Sequence, residues 1–221
     1  MSSQVPCGSL PIHAFCALIV FSSFFLISFV DAHGFLKSPR SRNYYAHVEG
    51  VTWGSEGGDV PKEYCHHCLN FKEDFQVCAT GQTQGYDNWK DVVGNQMPFL
   101  SQATYVEGQE IVIESELTAN HAGHMDIFLC GGPEYTPECF LSNPATFIED
   151  MLYGGPVDPA YPSRAYYSTN YEHKHKYRLP MGVTGQRVMM QWRYITANSC
   201  HPAGYVGDST CFSLIFRNDI S

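Results

Sequence analysis

The chain has 221 residues, 44% of them hydrophobic and 16% charged, with a formal charge of −9. This length suits a single domain with a sizeable core. The balance of 22 acidic against 13 basic residues argues against a nucleic-acid partner, whose phosphates need a basic surface.

Residues 14–30 form a nearly uninterrupted apolar run, and Val30 and Ala32 fit the small-residue cleavage pattern of a secretory signal peptide. The run approaches the length of a short membrane span and no Lys or Arg precedes it, so a signal anchor is the alternative reading. The abrupt change to a polar composition after Ala32 favours cleavage. Residues 1–32 are therefore expected to be a signal peptide, and 33–221 a single domain that is secreted, extracellular and free of the membrane. The leader carries one acid, Asp31, and no Lys or Arg, which leaves the mature chain at −8. Cleavage also makes His33 the first residue, with a free α-amine and an imidazole on one Cα. Such a pair can chelate a metal.

Two of the nine cysteines, Cys7 and Cys16, lie in the leader. The remaining Cys65, Cys68, Cys78, Cys130, Cys139, Cys200 and Cys211 read as a disulfide framework with one thiol left over. Cys130 with Cys139, and Cys200 with Cys211, would each close a short loop, while pairing among Cys65, Cys68 and Cys78 stays open. The run Tyr64-Cys65-His66-His67-Cys68 also holds half of a common zinc site. No second Cys-x-x-Cys follows it, and an oxidising compartment favours disulfides.

Extended segments dominate the mature chain. Strands are expected at 109–117, around the β-branched trio Ile111-Val112-Ile113, and at 125–130, with Gly123 marking a turn or bulge before the second. A third is expected over 187–196, where Val188, Met190, Trp192 and Tyr194 share one face and Gln191 and Arg193 the other. A last is expected at 211–216. Short strands among many Gly and Pro point to an all-β fold, an antiparallel β-sandwich of immunoglobulin or fibronectin III type. The irregular regions 42–102 and 131–177 are too long for hairpin loops and are expected to carry short helices or function. Within the second, His173 and His175 fall on one face of a strand and are expected at a solvated edge, where lysines discourage strand addition. Tyr153, Tyr161, Tyr166, Tyr167 and Tyr171 are expected either to offer a glycan-stacking surface or to pack the loop onto the sandwich.

Three segments in order carry a resemblance. His33-Gly34-Phe35 is followed by Ser38-Pro39-Arg40-Ser41-Arg42; then comes Thr118-Ala119-Asn120-His121; last is Gln191-Trp192-Arg193-Tyr194 with Ala197-Asn198-Ser199-Cys200. Together they resemble the lytic polysaccharide monooxygenases, more narrowly the chitin-binding type-four branch and its arthropod, algal and oomycete relatives. The resemblance implies one copper ion in a histidine brace formed by the α-amine and Nδ1 of His33 and the imidazole of His121. Tetragonal nitrogen coordination of this kind suits Cu(II). His124 competes with His121 and is otherwise a neighbour near the substrate face. Ala119 matches the small residue beside the open face of the metal in bacterial relatives.

The resemblance places the axial aromatic at Phe212, or at Tyr205 if the preceding loop is short. Thr210 stands where relatives carry another polar residue, which leaves Gln191 and Arg193 as the groups that would handle oxygen. The implied activity is oxidative cleavage of a polysaccharide such as chitin, cellulose or pectin by a monomeric enzyme. It would draw on an external electron donor, with hydrogen peroxide or dioxygen as co-substrate. A non-catalytic copper-binding protein using the same brace, and a carbohydrate-binding module, are the alternatives.

Overall fold

The structure is a computed structural model that describes residues 33–49, 77, 100–197 and, as backbone, 215–220. Among these residues the chain forms two four-stranded sheets with antiparallel pairing throughout. The first sheet contains β1 (His33–Ser38), β2 (Glu110–Ala119), β4 (Thr146–Asp150) and β6 (Glu172–Arg178), in the order β1-β2-β6-β4. The second contains β3 (His124–Cys130), β5 (Ala165–Tyr166), β7 (Met189–Ile195) and β8 (Ile215–Ile220), in the order β5-β3-β7-β8. Two short helices, α1 (Arg42–Val48) and α2 (Pro137–Leu141), interrupt the connections. The β-sandwich expected from the strand pattern is therefore the fold.

Period-two patterning explains the first sheet. In β2, Ile111, Ile113, Ser115 and Leu117 are buried while the residues between them are half or fully exposed. The solvent face carries cross-strand ion pairs in register: Glu114 with Lys174 at 2.8 Å, Glu110 with Arg178 at 2.6 Å and Glu149 with Lys176 at 2.8 Å. The second sheet differs, because β3 is buried at all seven positions. Its Met125, Ile127 and Leu129 join Trp192 and Tyr194 of β7 in the inter-sheet core. Phe128 and Cys130 instead pack with Phe140 of α2 and with Met189 on the outer side. A Cys130–Cys139 disulfide ties α2 to β3, as the short-loop spacing anticipated, and the Thr136 side chain caps the helix by accepting from the Cys139 N–H at 3.2 Å.

One polar cluster inside the sandwich, centred on Tyr167, is fully hydrogen-bonded. The Tyr167 hydroxyl donates to Met125 Sδ at 3.0 Å, accepts from Trp192 Nε1 at 3.1 Å and lies 3.1 Å from Ser115 Oγ. That set uses one donor and two acceptor sites, the full capacity of a phenol.

Several expectations need correction. The region 131–177 is no irregular loop: it supplies α2, β4, β5 and most of β6. β6 is an interior strand between β2 and β4, so His173 and His175 lie not at a solvated edge but in the core, 2% and 0% exposed. The lysines beside them pair with carboxylates of the neighbouring strands instead of guarding an edge. The last strand runs to Ile220, later than expected. Residues 50–76, 78–99 and 198–214, with Cys65, Cys68, Cys78, Cys200 and Cys211, lie outside the described residues.

Candidate metal centre

Antiparallel pairing brings the start of β1, the end of β2, the start of β3 and the end of β7 to one end of the sandwich. His33 opens β1 and pairs with Ala119, the last residue of β2. His121 follows two residues later, in the loop that carries the chain from the first sheet to the second. Both histidines are half-buried. The two ligands anticipated from sequence therefore come from neighbouring backbone positions at one end of the fold.

Gly34 makes the approach possible. A Cβ there would lie 2.6 Å from Leu117 Cδ2 and 2.8 Å from the Glu116 carbonyl oxygen, inside van der Waals contact. The ladder is irregular at this point, with His33 opposite Ala119 but Phe35 opposite Glu116, so two steps along β1 match three along β2. An irregularity of this kind re-aims the residue at its edge, here His33.

The loop from Asn120 to Gly123 is held on every side. Asn120 Oδ1 accepts from the Ala122 N–H at 2.7 Å, and its Nδ2 donates to the carbonyls of Ser168, at 2.8 Å, and of Asn170. The Tyr167 N–H donates to the Gly123 carbonyl at 2.8 Å, and the Ala197 N–H to that of His121 at 3.2 Å. Gly123 adopts φ 97°, and a Cβ would meet the Ile195 carbonyl oxygen at 1.9 Å, so the turn or bulge expected there is present and requires glycine.

His124 does not lie at a substrate face. It begins β3, is 0% exposed, and places Nε2 3.5 Å from Asp126 Oδ2, while Asp126 Oδ1 accepts from the Ser163 hydroxyl at 2.7 Å. Burial holds the His124 imidazole below its ordinary range against the pull of Asp126. Burial would raise the Asp126 carboxyl, but His124, Ser163 and Arg193 outweigh it and hold that carboxyl low. Arg193 stands opposite Asp126 in the β3–β7 register, and Gln191 opposite Phe128. Both occupy the face of β7 turned away from Trp192 and Tyr194, as their alternation anticipated, and Gln191 is fully buried. Phe212, Tyr205 and Thr210 lie outside the described residues.

Tyr194, expected on the strand face shared with Trp192 and within the third motif, reaches the loop from β7. Its hydroxyl accepts from the His121 N–H at 3.1 Å and donates to the Ala122 carbonyl at 2.9 Å. Its place in Gln191-Trp192-Arg193-Tyr194, on the inward face, was the available signal.

Among the described residues no three His, Cys, Asp or Glu side chains converge as a metal cage. His33 and His121 each offer one imidazole at this end of the fold. In a chain beginning at His33, the α-amine is a further nitrogen. Two imidazoles and an amine form a nitrogen set that suits Cu(II).

Of the tyrosines flagged from sequence, Tyr167 is buried in the core. Tyr161 lies under the Arg164 guanidinium, 3.7 Å from its ring centroid. Tyr166 donates to Asp158 at 2.7 Å. Tyr153 and Tyr171, 44% and 62% exposed, remain available to solvent. They follow the end of β4 and precede the start of β6, strand ends that the pairing turns toward the His33 end of the first sheet.

A family model described as lytic polysaccharide mono-oxygenase, cellulose-degrading, matches residues 33–207. Among solved structures the chain is similar to a lytic polysaccharide monooxygenase AA15 from Thermobia domestica in the Cu(I) state. The identity is 19% and the TM-score 0.52, over 85% of this chain and 96% of that one, a likeness that speaks for the fold alone. No curated protein matches the chain.

Proposed function

Because the chain belongs to the lytic polysaccharide mono-oxygenase family, we propose that it is a secreted, copper-dependent enzyme that cleaves a polysaccharide oxidatively, with His33 and His121 holding one copper ion. The observation that carries this reading is the pairing of His33 with Ala119, two residues before His121. On this reading residues 1–32 are removed as a signal peptide, which frees the His33 α-amine to join its imidazole as a ligand. Bound copper supplies the redox chemistry: with an external electron donor and hydrogen peroxide or dioxygen, hydrogen is abstracted beside a glycosidic bond.

The chain's own contribution is to bind and orient. The tethered loop presents His121, Gly34 lets His33 approach, and the small side chain of Ala119 leaves the neighbourhood of both open. Tyr153 and Tyr171 offer exposed rings on which sugar faces can stack. Phe212 is the proposed aromatic neighbour of the metal, and Gln191 and Arg193 are the groups proposed to handle oxygen.

The test uses the secreted protein. N-terminal sequencing is expected to return His33, and oxidised oligosaccharides are expected by mass spectrometry from chitin, cellulose or pectin only when copper and a reductant are both present. His33→Ala and His121→Ala should each abolish product. Full activity in either variant overturns the proposal. Copper binding without oxidised product from any of the three polymers would leave a non-catalytic copper protein, and glycan binding without copper a carbohydrate-binding module.

A further inference from the structure

The loop that carries His121 does not keep its shape by local preference. Ala122 sits at φ 52°, and a left-handed conformation costs a residue with a Cβ on the order of 1 kcal/mol. Asn120 holds it from within the loop by accepting from the Ala122 N–H at 2.7 Å, and Tyr194 holds it from the core by donating to the Ala122 carbonyl. Its ring is fully buried, stacked on Trp192 at 6.0 Å and edge-on to Tyr167 at 5.0 Å between centroids, so its position is set by the core. Its hydroxyl oxygen spans two successive residues of the loop, accepting from the His121 N–H and donating to the Ala122 carbonyl. Donation to Ala122 uses the single phenol proton, and acceptance from His121 uses a lone pair of the same oxygen. On the other flank, Asn120 ties the same loop to the carbonyls of Ser168 and Asn170.

We propose that Tyr194 is a positioning residue for the metal site, fixing the backbone of His121, and through it the imidazole, relative to His33. This rests on the reading of His121 as a copper ligand. A ligand carried on a loose loop must be ordered when the metal binds, and that ordering subtracts from affinity. A ligand clamped to the core by a rigid ring is already ordered. Tyr194 would therefore contribute to metal affinity through the placing of His121.

The test compares five proteins that begin at His33: the wild type, Tyr194→Phe, Tyr177→Phe, Asn120→Ala and His121→Ala. Tyr177 is the control, since its buried hydroxyl also donates to a backbone carbonyl, that of Met125 at 3.2 Å, but in the core rather than at the loop. In the metal-free protein, Y194F is expected to speed amide hydrogen exchange at His121 by about tenfold or more, the loss of a net hydrogen bond. It is expected to weaken Cu(II) binding in calorimetry about tenfold, as loss of a group that orients a ligand does, and to shift the Cu(II) electron paramagnetic resonance spectrum. Y177F should lower the melting temperature yet leave exchange at His121, affinity and spectrum unchanged. Asn120→Ala, which cuts the other tether and spares the core, should change the spectrum in the same direction, and stands in for Y194F should that variant not fold. Wild-type exchange, affinity and spectrum in Y194F, or in N120A in its place, overturn the proposal. If instead His121→Ala keeps the wild-type spectrum, the ligand reading itself fails and the positioning role falls with it; accelerated exchange at His121 in Y194F would still register the clamp.

Discussion

At position 34 a single hydrogen atom separates a workable strand pairing from a clash. A methyl group there meets the Glu116 carbonyl oxygen at 2.8 Å, Leu117 Cδ2 at 2.6 Å and Trp192 Cη2 at 3.2 Å. The leucine can turn away; the backbone carbonyl and the buried indole cannot. Gly34→Ala is therefore expected to push the start of β1 off β2, destabilising the fold by about 1–3 kcal/mol and weakening copper binding at the adjacent His33. Urea denaturation and calorimetry check the two effects, and a variant with wild-type values in both would mean that β1 accommodates the methyl. Glycine at this position was visible in the His33-Gly34-Phe35 motif, but its reason was not, because the clash comes from residues more than 80 positions away in the chain. Tyr194 presents the same case. Its strand and face were legible, whereas its hydrogen bonds to a loop some 70 residues earlier were not.

Among the elements, β6 shows how a correct period can be assigned to the wrong surroundings. The alternation in His173-Lys174-His175-Lys176-Tyr177 marks a strand with two unlike faces, and either face could have been the inner one. Packing resolves this by desolvation: a neutral imidazole can be buried at far lower cost than a lysine ammonium, so the histidines go in and the lysines pair with Glu114 and Glu149 outside. The two imidazoles stack with centroids 5.6 Å apart. Phe147 and Tyr167 pack against His175, and Tyr153 and Tyr167 against His173.

Burial pushes His175 down to about 4, outweighing the nearby Asp150 carboxylate, and also lowers His173. The unfolded chain therefore takes up protons below about pH 6.5 that the folded protein refuses, and stability falls as pH drops from 6.5 toward 4. Above 6.5 both states are neutral and this contribution vanishes. For His175 the loss between pH 7 and pH 4 is about 3 kcal/mol. Denaturant midpoints measured across that range should fall steeply in the wild type and less steeply in His175→Phe; parallel curves would show that the imidazole is not the group responsible.

For the molecule as a whole, the proposed site depends on where the chain is cut. A peptide bond before His33 takes away the α-amine, and two imidazoles are then the only nitrogen ligands the described pair supplies. Copper at a thousandfold excess over its dissociation constant stabilises a native-state binder by about 4 kcal/mol, or about 10 °C in melting temperature for a domain of this size. The protein beginning at His33 is expected to show that shift, and to lose it on chelation. A protein retaining Ala32 is expected to show little of it. Equal shifts in the two would remove the amine from the site.

Much of this was readable in the order of residues. Period-two patterning located β2 and β7, a short apolar run bounded by glycines located β3, the nine-residue spacing anticipated the Cys130–Cys139 bridge, and the motifs singled out His33 and His121. These are local properties, since alternation and spacing follow from the geometry of a strand or a short loop. What only the tertiary structure decided was which strands are neighbours. The interior place of β6, the pairing of His33 with Ala119, the burial of His124 against Asp126 and the reach of Tyr194 to His121 all join segments far apart in the chain. A strand's own sequence says which of its residues share a face. Which partner covers that face is set by packing two whole sheets against each other.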